Sequence, residues 1–160
     1  MRLRIAAVGK LKDGPERELY ARYAERIGAA GRAVGLGPLD LAEIVEGRAP
    51  DAPTRMADEA ARLLAKCRDT DVRILLDEHG KALGSQAFAQ TLRGIRDRPV
   101  GRLAFLIGGP DGHGAPARDV ADLTLSLGPM TLPHGLARIV LAEQIYRVIT
   151  ILAGHPYHRA

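Results

Sequence analysis

The feature that most constrains this chain is a rhythm. Short apolar runs of strand length alternate with longer amphipathic stretches of helix length, about five times from end to end. Strands that alternate with helices build an α/β domain with a mostly parallel sheet, because a parallel pair needs a crossover and a helix is the usual one. The first run is Leu3–Gly9, ending in glycine. Pro15–Gly31 follows, with Pro at its start and Leu19, Tyr23 and Ile27 repeating every fourth residue, a helical period. Leu39–Glu46 reads as the second strand and Gly47–Pro53 as a flexible link. Thr54 is then expected to cap a helix running to Cys67. The second half repeats the pattern: strand Val72–Asp77, helix from Gly84 or Ser85, strand Arg102–Gly109, a short helix from Ala115, a short strand Thr124–Gly128 and a last helix Pro133–Gly154. On that last helix Leu141, Ile145, Val148 and Leu152 form one stripe, and Leu136, Ile139, Val140 and Ile149 widen it.

The 160 residues fit one domain, 1–160, with helices on both faces of the sheet. No repeat or low-complexity tract interrupts them, and no apolar run reaches the roughly 18 residues of a membrane span. The amino-terminal apolar run lacks a small-residue cleavage site and reads as a buried strand, not a signal peptide. Cys67 is the only cysteine, so no internal disulfide can form, which fits a cytoplasmic, reducing setting. The net charge of +4 suits a polyanionic partner.

In open α/β sheets ligands bind beyond the carboxyl ends of the strands. Three such ends are unusually rich in Gly, Pro and small polar residues: "LLDEHGKALGS", "FLIGGPDGHGAP" and "LSLGPMTLPHG". Glycine lets the backbone approach a ligand closely, and bare N–H and C=O groups can read a nucleoside. Other chemistries fare poorly. "VGKLKDG" is not a GxGxxG turn, no GxxxxGK[ST] loop occurs, and no GxSxG elbow presents a serine. His155 and His158 have HxxH spacing without a third ligand, so no metal is expected. Asp77 and Glu78 read as a solvated strand end. His79, His113 and His134 lie on the ligand-side loops, and none is expected to be a base.

"FLIGGPDG", "LSLGPMTLPHGLARIVLAEQIYR" and "HPYHR", with "IAAVGKLK" and "LDEHGK", resemble the SPOUT-class methyltransferases that act on a pseudouridine of large-subunit ribosomal RNA. The resemblance covers essentially the whole chain. It implies a knotted α/β fold of the trefoil type, its carboxy-terminal segment threaded through an earlier loop. It implies S-adenosylmethionine as methyl donor, held by Leu76, Gly108, Leu127, Gly128, Pro129, Met130, Thr131 and Leu132. It implies a homodimer in which each site is completed by its neighbour, and 23S rRNA in the ribosome as partner, not DNA or a membrane. His113 departs from the family, which tends to have an apolar residue there.

The reaction so implied is methylation of N3 of pseudouridine 1915. That nitrogen is an imide N–H, poorly nucleophilic while protonated, so cations near the uracil carbonyls would help. Arg138, His158 and Arg159 are expected to supply them, and Tyr157 a flat face for a base. The proton acceptor is not legible, and water is one option. Two rivals remain: a methyltransferase of the same fold acting on another RNA position such as a ribose hydroxyl, and a non-catalytic nucleotide-binding module.

Overall fold

The computed structural model describes residues 1–157. Five strands, β1 (Arg2–Val8), β2 (Leu39–Ile44), β3 (Val72–Ala82), β4 (Arg102–Ile107) and β5 (Leu123–Ser126), form one sheet in the order β2-β1-β4-β3-β5. Every pairing is parallel. The helices are α1 (Pro15–Gly31), α2 (Ala52–Lys66), α3 (Ser85–Arg96), the short α4 (Ala115–Asp119) and α5 (His134–Leu152). A 3₁₀ turn, Arg32–Val34, extends α1.

Side-chain alternation along β1 shows why both faces are covered. Leu3, Ile5 and Ala7 enter one core, with residues of α1, α3 and α5. Ala6 and Val8 point the other way, into a smaller core with Ala60 and Leu63 of α2 and Ala117 of α4. A strand buried on both faces must be apolar at every position, and that is why the runs read as continuous rather than alternating.

Two expectations are corrected. The cap of α2 is Asp51, whose Oδ1 accepts the Thr54 backbone N–H at 2.9 Å, so the helix begins two residues before Thr54 and takes Pro53 into its first turn. Strand β3 does not stop at Asp77. It pairs with β5 over Ile74–Leu76, bulges outward, and pairs again at Lys81 and Ala82. A bulge re-aims side chains without ending the strand. Here it thrusts residues 77–80, the polar "DEHG" segment, out of the ladder beside the neighbouring loops.

Because all strands run the same way, the ends of β1, β4, β3 and β5 lie at one edge of the sheet. Helix α5 then packs against α1 and α3 and reaches back to β1 and β4.

Candidate functional site

A cleft of about 770 Å³ opens at that edge. Its walls bring together Leu76, Gly108, Leu127, Gly128, Met130, Thr131 and Leu132, seven of the eight residues expected to hold a cofactor. Pro129, between Gly128 and Met130, is not among the wall residues. The three loops chosen for their glycine content thus converge on one cavity.

The wall at Gly108 is backbone because nothing larger fits. A Cβ there would sit 2.9 Å from the carbonyl carbon and oxygen of Gly112 and 3.3 Å from the His113 ring. The loop carrying Gly108–Gly114 is tied to the end of β3 by a closed set of contacts. Nε2 of the buried His113 lies 3.0 Å from the Leu76 carbonyl oxygen. A carbonyl only accepts, so that nitrogen carries the proton. Arg118 Nε donates to the His113 carbonyl at 3.0 Å, and its terminal nitrogen meets Asp77 Oδ2 at 2.8 Å. The other Asp77 oxygen accepts the His79 backbone N–H at 3.0 Å. Burial pushes the His113 imidazole below its ordinary value against the opposing pull of the Leu76 carbonyl and Asp77, so the ring is a neutral donor at physiological pH. For Asp77, burial works upward, but the His79 N–H and the Arg118 guanidinium outweigh it and hold the carboxyl below the ordinary range. Sequence reading passed over Asp77, Arg118 and His113 as site residues; the departure from the family at His113 was the one signal available.

Arg138 is not at the cleft. Its side chain is fully buried, and its guanidinium donates to the carbonyls of Val8 at 2.6 Å and Gly9 at 2.7 Å and to Glu43 Oε1 at 3.2 Å. A guanidinium so enclosed cannot meet a substrate carbonyl, so its place is beneath the end of β1. His134, four residues earlier on the same face of α5, does line the cleft. Proximity of chain-distant groups was the missing signal for both.

Tyr157 lies against its own chain. Its ring stacks edge-on to Tyr146 at 4.9 Å, Arg147 sits over it at 5.3 Å, and its hydroxyl meets Glu143 Oε1 at 3.3 Å. Burial, then its contact with Tyr23, raises that hydroxyl to about 12, so it stays protonated. His158 and Arg159 lie outside the described residues. Among the described residues no group of three His, Cys, Asp or Glu could hold a metal ion, and no helix is long and apolar enough to cross a membrane.

Comparison with known proteins agrees with this geometry. A family model described as "Predicted SPOUT methyltransferase" matches residues 1–158. The "Ribosomal RNA large subunit methyltransferase H" of Rhizobium leguminosarum bv. trifolii is 54% identical over 159 residues, covering 99% of each chain. That of Mesorhizobium japonicum is 51% identical over 160 residues, covering both chains fully. Among solved structures, a probable methylase family protein from Haemophilus influenzae superposes with a TM-score of 0.52 at 13% identity, covering 99% of this chain and 70% of that one.

Proposed function

This chain belongs to the SPOUT methyltransferase family, and on that premise we propose that it methylates N3 of pseudouridine 1915 in 23S rRNA within the ribosome. The family match and the relatives named as large-subunit rRNA methyltransferases support the coarser reaction. The observation that carries the reading on the chain itself is the convergence of Leu76, Gly108, Leu127, Gly128, Met130, Thr131 and Leu132 on one cleft. A nucleoside with bare edges fits the wall at Gly108, since glycine carbonyls and N–H groups approach where side chains would block. S-adenosylmethionine supplies a methyl already activated on a sulfonium, so the protein's share is to orient donor and base and to ease loss of the N3 proton.

The residues divide that work. Leu76, Gly108, Leu127, Gly128, Pro129, Met130, Thr131 and Leu132 would hold the cofactor. The Asp77–Arg118–His113 ties fix the two walls relative to each other. Arg138 acts by position, clamping the end of β1. Tyr157 anchors the chain end on α5, and His158 and Arg159, next in sequence, are assigned to the substrate side. A second copy completes each site, and the carboxy-terminal segment passes through an earlier loop in the trefoil manner of the family; the return of α5 from β5 at the sheet edge to β1 is compatible with that path.

Nucleoside mass spectrometry of 23S rRNA from a deletion strain, with and without the restored gene, tests the reading. Loss and return of a methyl on the pseudouridine base is expected. A methyl lost instead from a ribose, or no methyl lost at all, would refute it.

A further inference from the structure

We infer that His134 is the group that takes the N3 proton of the target base, an inference that rests on N3 being the atom methylated. Six carboxylate or imidazole side chains line the cleft, and five are committed or badly placed. Asp77 gives one oxygen to the His79 N–H and the other to Arg118. Asp111 is paired with Arg55 at 2.9 Å. His113 is buried, 3% exposed, with its ring held against the Leu76 carbonyl. His79 is 81% exposed and leans on Asp77. Glu78 is an exposed carboxylate, a much weaker base than an imidazole. His134 remains.

The fold holds that ring with care. His134 is the first residue of α5, after Pro133. Its edge rests on Gly9: a Cβ there would lie 2.9 Å from Cε1 and 3.1 Å from Nε2, and Gly9 has φ +82° besides. Gly9 is fixed in turn, its N–H donating to the Ile44 carbonyl at 2.8 Å and its own carbonyl gripped by Arg138. Nδ1 lies 3.9 Å from Glu46 Oε1 just past β2. The other charged groups near the ring are Glu16 of α1, whose carboxylate abuts Gly135, and Arg138 one turn on, already engaged by Glu43. Across the cleft stand the Asp77–Arg118 pair, Glu78 and His79.

The step balances. The N3–H bond breaks, its pair stays on N3, and the proton passes to the His134 imidazole. S-adenosylmethionine, when bound, would supply the methyl to that pair, the methyl–sulfur bond electrons going to sulfur and leaving a neutral thioether. The imidazolium beside Glu46 then returns its proton to water.

The test uses the full-length protein, ribosomes from the deletion strain and single-turnover rates across the neutral range. His134→Gln should be slower by about 10²–10⁴-fold near neutrality, with the deficit shrinking as rising pH ionises N3 without help. Its affinity for S-adenosylmethionine by calorimetry should stay within about twofold of wild type, because a base adds little to cofactor binding. A deficit equal at all pH values, or a parallel loss of cofactor affinity, would overturn the proposal. Wild-type protein that leaves no methyl on the pseudouridine base would overturn the function itself, so the two failures are distinct.

Discussion

Gly108 shows what a single position can reveal. Its place at the cleft was legible because close backbone approach favours glycine, and the paired glycines stood at a strand end. The structure adds the contact: a side chain there would collide with the Gly112 carbonyl at 2.9 Å. Gly108→Val should therefore push the 108–114 loop inward and weaken S-adenosylmethionine binding by at least about tenfold, or 1.4 kcal/mol, while far-ultraviolet circular dichroism keeps its native shape. Normal binding by calorimetry in a folded variant would put the cofactor elsewhere. The residues that sequence reading missed share a different character. Asp77, His113, Arg118 and His134 are ordinary polar residues one at a time. A bulge in β3, the turn after β4 and the start of α5 bring them to one cleft, as the strand-end pattern implied for Asp77, His113 and His134, but no local pattern encodes the ties among Asp77, Arg118 and His113. Arg138 is the converse. A cation in a family-like motif suggested a substrate contact, yet total burial and two backbone carbonyls give it a positioning task.

At the scale of the element, α5 runs from the cleft to the chain end. Its apolar arc was legible in its residues, and Leu141, Ile145 and Val148 are fully buried as that arc implied. Its width has two causes that the sequence mixes together. Ile139 and Ile149 face the core, whereas Leu136 and Val140 remain 42% and 36% exposed. One end of the helix presents His134 to the cleft. The other leads to Tyr157, which folds back on Tyr146 and Glu143. The opposite limit of legibility is β3, whose extension past Asp77 was hidden because "DEHG" carries every mark of a loop. The tail makes a separable prediction. Removing residues 158–160 leaves the Tyr157 packing in place, so melting temperature and cofactor affinity should hold. Methylation of ribosomes should fall by about a hundredfold or more, the usual worth of removing groups that stabilise developing charge. Full activity in that truncation would leave the substrate side to other residues. A fall in cofactor affinity would assign the tail to the cofactor cleft.

The whole molecule raises a question that one chain cannot answer by itself. Helices α1 and α5 pack together, yet Leu19 on one and Leu136 and Val140 on the other stay in water, with Met130 at the cleft 80% exposed. Scattered exposed apolar residues are common, but these cluster on the elements that also border the cleft and the chain end. A second copy laid against α5 would cover them, and it would bring a neighbour's chain end within range of a cleft that its own chain leaves open on one side. The residues assigned to the substrate side follow Tyr157, which packs far along α5 from His134. In a single chain Tyr157 packs on Glu143, Tyr146 and Arg147, which lie about 14–20 Å along α5 from His134 at 1.5 Å per residue. A dimer with antiparallel α5 helices would bring one chain's tail to the other's His134. Light scattering at micromolar concentration should then report twice the 17.2 kDa chain mass. Leu136→Glu with Val140→Glu should return the single-chain mass, because charges placed in an apolar contact lose their water on association. That variant should retain its circular dichroism spectrum, since both positions are exposed in the single chain, but should not methylate ribosomes. Mixing it with a dimer-forming chain whose tail is removed should not restore activity either. A monomeric variant that methylates normally would show that each chain builds its whole site alone, and the distance from tail to base would then need another explanation.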